Sequence, residues 1–184
     1  MQNLRQVRGG RRAVDPTTEL KEFDPLTGLA SRPFFRFRLE EQWEQSCRNH
    51  RPLGFLLLVI DDAASLRREC SKQDWRSFLG TLGSAVSQSC QRRADFAARV
   101  RVGEIAAVLS DANEEGTRVV AERIHTALQA HEGIPSHLRL LIGGVSVMPN
   151  PSYFANALWM RANEAVEQAA EDTSSRIVVL SGLN

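Results

Sequence analysis

Phe96-Ala-Ala-Arg-Val-Arg-Val-Gly-Glu-Ile-Ala-Ala-Val-Leu109 is the stretch that decides the fold class. Phe96 to Val102 and Glu104 to Leu109 read as two strands joined tightly at Val102-Gly103, a β-hairpin. Upstream, Pro52 to Ile60 is a near-continuous apolar run ending in Asp61-Asp62, the pattern of a buried central strand whose carboxyl end reaches a site. Between these two, Trp75, Phe78, Leu79, Leu82 and Val86 keep a 3/4 spacing through Gln91 and predict one helix. Before the first strand, Ser31 to His50 sets Phe34, Phe35, Phe37, Leu39 and Trp43 among charges as an amphipathic helix, started by Ser31 and Pro33. After the hairpin come a helix from about 114 to 131, a strand from Leu138 to Val147, a helix from about 153 to 171 and a short strand at Ile177 to Leu180. The order is α-β-α-β-β-α-β-α-β. A hairpin inside an alternating pattern favours an α/β sandwich with a mixed central sheet of about five strands over a doubly wound parallel sheet.

The 184 residues are 42% hydrophobic, enough for one domain with a real core. Charged residues make up 24% and the net charge is +1, so neither a nucleic-acid partner nor an acidic solvating chain is indicated. Cys47, Cys70 and Cys90 are odd in number, spread out and without CxxC or CxxH spacing. That argues against a disulfide framework and a zinc site, and for a reducing cytoplasm. No apolar run approaches the roughly 20 residues of a membrane span, and no signal-type stretch follows Met1. Among 23 basic residues only Lys21 and Lys72 are lysines, so nearly every cationic site is a guanidinium suited to carboxylates, phosphates and base edges. The first twelve residues carry Arg5, Arg8, Arg11 and Arg12 without an acid, and Gly9-Gly10 interrupts any helix there. This basic tail is either a linker stub or a segment contacting phosphate or membrane. Thr17 or Thr18 can cap a short helix that stops near Asp24-Pro25, so residues 1–23 form a tail with a linker helix and 24–184 the domain.

Several segments, in order, resemble the GGDEF (diguanylate cyclase) family, whose fold is similar to the palm of class III nucleotide cyclases. Asp24-Pro-Leu-Thr-Gly-Leu29 resembles the family's DxLTGL motif, with Arg32 kept and Ser31 and Pro33 replacing an asparagine and an arginine. Pro52-Leu-Gly-Phe-Leu-Leu-Leu-Val-Ile-Asp61 lies on the family's first strand, PLALLLLDID. Ala98-Arg-Val-Arg-Val-Gly-Glu-Ile-Ala106 falls on the signature hairpin ARYGGEEFA. Ala121-Glu-Arg-Ile124 suits the following helix, and Arg161-Ala162-Asn163 the last one.

The departures from the family are informative. Condensing two GTP molecules needs divalent cations near the α-phosphate, held chiefly by carboxylate oxygens. The resemblance puts one such ligand at Val59 and another at Gly103, neither an acid. Ile60 keeps a carbonyl, and Asp61, Asp62 and Glu104 are near in sequence, but these do not make a two-metal clamp. The signature reads Arg101-Val102-Gly103-Glu104-Ile105, so its first two glycines have become a charged and a β-branched residue. The guanine-reading asparagine and aspartate fall near Arg67 and Arg76, and an arginine cannot accept from guanine N1 and N2. The phosphate-holding lysine and arginine align with Ala170 and Ser174. Metal, base and phosphate positions have changed together, so no catalytic residue, bound metal or required cofactor is expected.

What the resemblance leaves intact is the product-binding inhibitory site, an RxxD motif ending five residues before the signature. Arg92-Arg93-Ala94-Asp95 is followed by Phe96 to Val100 and then Arg101, the family's register. In the family the arginine meets phosphate and guanine of cyclic di-GMP, the aspartate pairs with a guanine edge, and a helix arginine, here Arg123, completes the site. Guanidinium forks grip phosphates or the guanine O6/N7 edge, and a carboxylate accepts from N1 and N2. Arg12-Ala-Val-Asp15 shows that RxxD arises by chance in an arginine-rich chain, so position decides.

The expected function is a catalytically inactive GGDEF domain that acts as a cyclic di-GMP receptor through Arg92, Asp95 and Arg123, with Arg93 assisting. It would bridge to a protein partner or a second copy. The alternatives are a pseudoenzyme that associates with proteins and binds no nucleotide, and a weakly active cyclase using Asp61, Asp62 and Glu104. His50, His125, His131 and His137 lack metal-ligand spacing and read as surface or helix-end residues. Glu114-Glu115 reads as a solvated helix end, and Trp43 and Trp75 as core.

Overall fold

The computed structural model describes residues 22–131, 134, 138–172 and 174–183. Residues 1–21 of the expected tail, and His137, lie outside them. The elements run α1 (Arg32–Asn49), β1 (Leu53–Ile60), α2 (Ala63–Glu69), α3 (Lys72–Ser89), β2 (Phe96–Arg101), β3 (Glu104–Ser110), α4 (Glu114–Gln129), β4 (Leu140–Val147), α5 (Asn156–Glu171) and β5 (Ile177–Ser181). The five strands form one mixed sheet in the order β2-β3-β1-β4-β5, antiparallel except for the β4–β5 pair.

One expected helix is two. Cys70 takes an extended conformation, and Ser71 starts α3 afresh by accepting from the Asp74 N–H at 3.1 Å while donating to its carboxylate at 2.7 Å. The helical spacing from Trp75 onward was legible. The seven-residue α2, entered through Asp62 with φ +47°, has only Leu66 buried and carries little periodic signal. The other elements fall within a few residues of their expected limits, and Ser31 caps α1 through the Phe34 N–H.

The central strand β1 is apolar on both faces because both are covered. Leu56, Leu58 and Ile60 join Trp75, Phe78, Leu82 and Ile124 beneath α3 and α4. Phe55 and Leu57 join Phe35, Leu39, Trp43 and Leu158 beneath α1 and α5. Helix α5 lies close against β4 at Gly143, where a Cβ would run into the Ala162 carbonyl and the Val166 backbone.

The turn opening the domain is pinned to the sheet by charge. Asp24, 9% exposed, accepts from the Leu26 and Thr27 N–H groups and the Thr27 hydroxyl. Arg99 on β2 closes a two-pronged pair with it, Nε to Oδ1 at 2.9 Å and a terminal nitrogen to Oδ2 at 2.6 Å. Burial pushes the Asp24 carboxyl up, but the bonds from Arg99 and Thr27 outweigh it and hold it below its ordinary value.

Candidate functional site

The chain leaves α3 at Ser89 and turns back toward the sheet through Cys90 to Asp95. That turn is built by the motif itself. The Asp95 N–H donates to the Arg92 carbonyl at 2.9 Å, and the Arg92 N–H donates to Asp95 Oδ2 at 2.9 Å. The second oxygen, Oδ1, accepts from the Ser110 N–H at 2.9 Å, tying the turn to the end of β3. The Ser110 hydroxyl adds a bond to the Ala94 carbonyl.

Arg92 and Asp95 do not pair through their charged ends. The Arg92 guanidinium donates instead to the carbonyls of Ser110, at 2.5 Å, and Asp111, at 2.8 Å. Asp111 is held in the left-handed region at φ +55°, and its carboxylate meets Arg51 at 3.2 Å. Across the cleft, Arg123 on α4 donates to the carbonyl of Ser89 at 3.0 Å, where the carbonyls at the end of α3 favour a cation.

Arg92, Asp95 and Arg123 thus line one open cavity of about 400 Å³, with Ser89, Gln91 and Glu115. Arg93 is exposed and is not among the residues lining it. Glu115 does line it, which its place in the first turn of a helix had not suggested. Only the tertiary packing of α4 on α3 brings that turn to the motif. Cys90 sits beside the cluster. Burial, reinforced by the Asp95 charge and opposed by Arg123, pushes its thiol up to about 12. Cys90 is therefore expected to resist iodoacetamide at pH 8 in the folded protein and to react once unfolded, as read by peptide mass spectrometry. Equal rates in the two states would contradict this environment.

The signature hairpin lies at the opposite end of β3. Its strands join through an exposed Val102 and a buried Gly103 at φ +75°, while Ile105 is core. Arg101 pairs with Glu104 at 3.3 Å. Val59 is partly buried and sits opposite Glu104 in the β1–β3 register. The remaining acids are engaged separately. Asp61 meets Arg139 at 3.1 Å, and Asp62 caps α2 through the Ser65 N–H. Among the described residues no group of three or more His, Cys, Asp or Glu side chains is placed to hold a metal ion. Arg67 and Arg76 are exposed on α2 and α3, and Ala170 is exposed in the last turn of α5. Ser174 is bonded to Asp172, whose carboxyl the Ser174 and Ser175 hydrogen bonds bring down to about 2. The three cysteines are free, and His50 ends α1 in the left-handed region.

The fold recurs in known proteins. The profile of the family described as "Diguanylate cyclase, GGDEF domain" matches residues 21–176. A probable diguanylate cyclase, DgcT of Escherichia coli (strain K12), is 24% identical over 178 residues, covering 94% of this chain. The chain spans 38% of that relative's length. Among solved structures, the GGDEF domain of DgcB from Caulobacter crescentus, in complex with c-di-GMP, superposes with a TM-score of 0.76 at 16% identity, over 86% of this chain and 95% of that one. The FimX GGDEF domain from Pseudomonas aeruginosa gives 0.73 at 18%, over 88% and 99%. No helix among the described residues is long and apolar enough to cross a membrane.

Proposed function

The chain belongs to the GGDEF family, and from that premise we propose that it reads cyclic di-GMP rather than making it. The observation that carries this reading is the meeting of Arg92, Asp95 and Arg123 on one cavity, in the register the family uses for its product. In-chain bonds do not oppose it. Arg92 donates to two neutral carbonyls, and a phosphate, being charged, is the stronger acceptor. Each Asp95 oxygen takes one backbone N–H and keeps acceptor capacity for guanine N1 and N2. The same family in which DgcB is seen with c-di-GMP supplies the ligand class. Synthesis is set aside because Val59 and Gly103 bring no carboxylate to the metal position and Glu104 is committed to Arg101. The receptor works in a reducing cytoplasm and passes its signal to a protein partner or a second copy.

Titration calorimetry with cyclic di-GMP tests the proposal. Binding at micromolar or better affinity is expected, weakened about a hundredfold by Arg92→Ala, which removes two charge-assisted bonds, and about tenfold by Arg123→Ala. Asp95→Ala also releases the Ser110 N–H, so its melting temperature is measured beside its affinity. No binding by a folded chain overturns the receptor. Turnover of GTP and magnesium to cyclic di-GMP, abolished by Glu104→Ala, overturns the inactive assignment.

A second reading has its own observation. The Arg92 guanidinium and the Asp95 carboxylate both have in-chain partners, as in a turn whose work is structural. The domain then serves only to associate with protein, through the Arg101–Ile105 hairpin and its helices. A stable dimer or partner complex without nucleotide binding supports it.

A further inference from the structure

On the opposite face of the sheet from the Arg92 cluster, α1 and α5 diverge over a cleft of about 270 Å³. Its floor is apolar and fully buried at Phe35 and Leu57. Trp159 on α5 forms one wall, its ring fixed by edge contacts with Phe35 and Phe55, centroids 6.0 and 4.9 Å away. The facing wall is charged. Arg32 and Arg36, one helical turn apart on α1, both line the cleft. Neither guanidinium has a hydrogen bond or ion pair among the described residues, and Glu40, the next turn along α1, lines the same cleft without pairing with either. Asn156 and Asn163 on α5 add amides, and the Arg101–Glu104 pair closes the end at the hairpin. Two unpaired guanidiniums beside a rigid aromatic wall and a dry floor are the elements of a small-molecule site.

We propose that this cleft binds a small organic anion, its flat apolar body against Trp159 over the floor and its phosphate or carboxylate on Arg32 and Arg36. The cleft borders the signature hairpin through Arg101 and Glu104 but does not reach the base- and phosphate-holding positions that the family resemblance gives to substrate. Those positions, at Arg67, Arg76, Ala170 and Ser174, contribute nothing to this lining. Arg32 is a residue that the family resemblance keeps, whereas the arginine at the end of the cleft, Arg101, occupies the first signature position, where the family keeps glycine. The rigid aromatic contacts leave little ordering to be done on binding. Two arginines with no carboxylate partner favour an anion over a neutral molecule of the same shape.

The experiment titrates the chain separately with adenosine monophosphate, 1-naphthoate and the neutral 1-naphthalenemethanol, following backbone amide shifts by NMR. One or both anions are expected to bind one to one, moving the amides of Asn156, Trp159 and Asn163. Nucleotide binding alone identifies a phosphate head, and naphthoate binding alone a carboxylate. Arg32→Ala/Arg36→Ala, both exposed sites, is expected to weaken the anion about tenfold or more, and the neutral alcohol to bind as weakly. Arg92→Ala is expected to leave this binding unchanged. The proposal fails if neither anion binds at millimolar concentration. It also fails if the alcohol binds equally well, if the double substitution has no effect, or if the shifts map to the Arg92 cavity.

Discussion

Arg99→Ala is expected to destabilise the domain by about 3 kcal/mol, because it leaves the buried Asp24 carboxylate without its counter-charge. For a chain of this size that is a fall in melting temperature of about 10 °C. The Asp24 carboxylate keeps only its bonds to Leu26 and Thr27, and the strand that carries Arg99 is left tied to the opening turn through the backbone, where the Ala30 N–H donates to the Ala97 carbonyl. Most of the loss comes from stranding the charge and little from the pair as such. Arg99→Met combined with Asp24→Asn is therefore expected to recover much of it, since neither replacement leaves a buried ion. A single-variant loss below about 1 kcal/mol would show the pair behaving as an exposed salt bridge. The same pair sets an acid limit. The folded carboxyl of Asp24 titrates below its ordinary value of 3.8. Its contribution is fully present above the unfolded value and is lost as pH falls through the folded one. Wild type is expected to lose stability below about pH 4 more steeply than the Asp24→Asn/Arg99→Met variant, as read by denaturant melts across that range.

The second large effect concerns an attempt to rebuild the metal site. Val59→Asp/Gly103→Glu returns acids to both positions, yet it is expected to yield no cyclic di-GMP from GTP and magnesium, and to cost about 3 kcal/mol. Gly103 has φ +75°, where any side chain is strained, and a Cβ there overlaps the Cβ of Ala63 at the start of α2. The Ile60 N–H donates to the Gly103 carbonyl at 2.9 Å, so moving the turn disturbs the end of β1 as well. An aspartate at 59 would stand opposite Glu104, adding like charge beside a partly buried position. The loss of the signature acid is thus accommodated by the packing around it. Measurable turnover by the double variant would show that the two acids were all the site lacked.

The sheet was legible because each of its features is local. The Val102-Gly103 turn, the unbroken apolar run of β1 and the 3/4 spacings of α3 and α4 follow from period and turn chemistry, which a linear reading contains. The motif positions were legible for the same reason, since Arg92, Asp95 and Arg101 lie within ten residues of one another. The break between α2 and α3 was not, because Ser71 is as acceptable inside a helix pattern as at its start.

Other features depend on residues far apart in the chain. Arg99 finds Asp24 across 75 positions, and Arg92 finds the Ser110 and Asp111 carbonyls across 18 and 19. The sequence by itself determined a mixed five-stranded α/β domain, the altered signature and the register of RxxD. The tertiary structure alone decided where each guanidinium points: Arg92 to carbonyls, Arg99 to a buried carboxylate, Arg32 and Arg36 to an open cleft. A long cation is equally at home in all three settings, so only the packing of distant elements selects its partner.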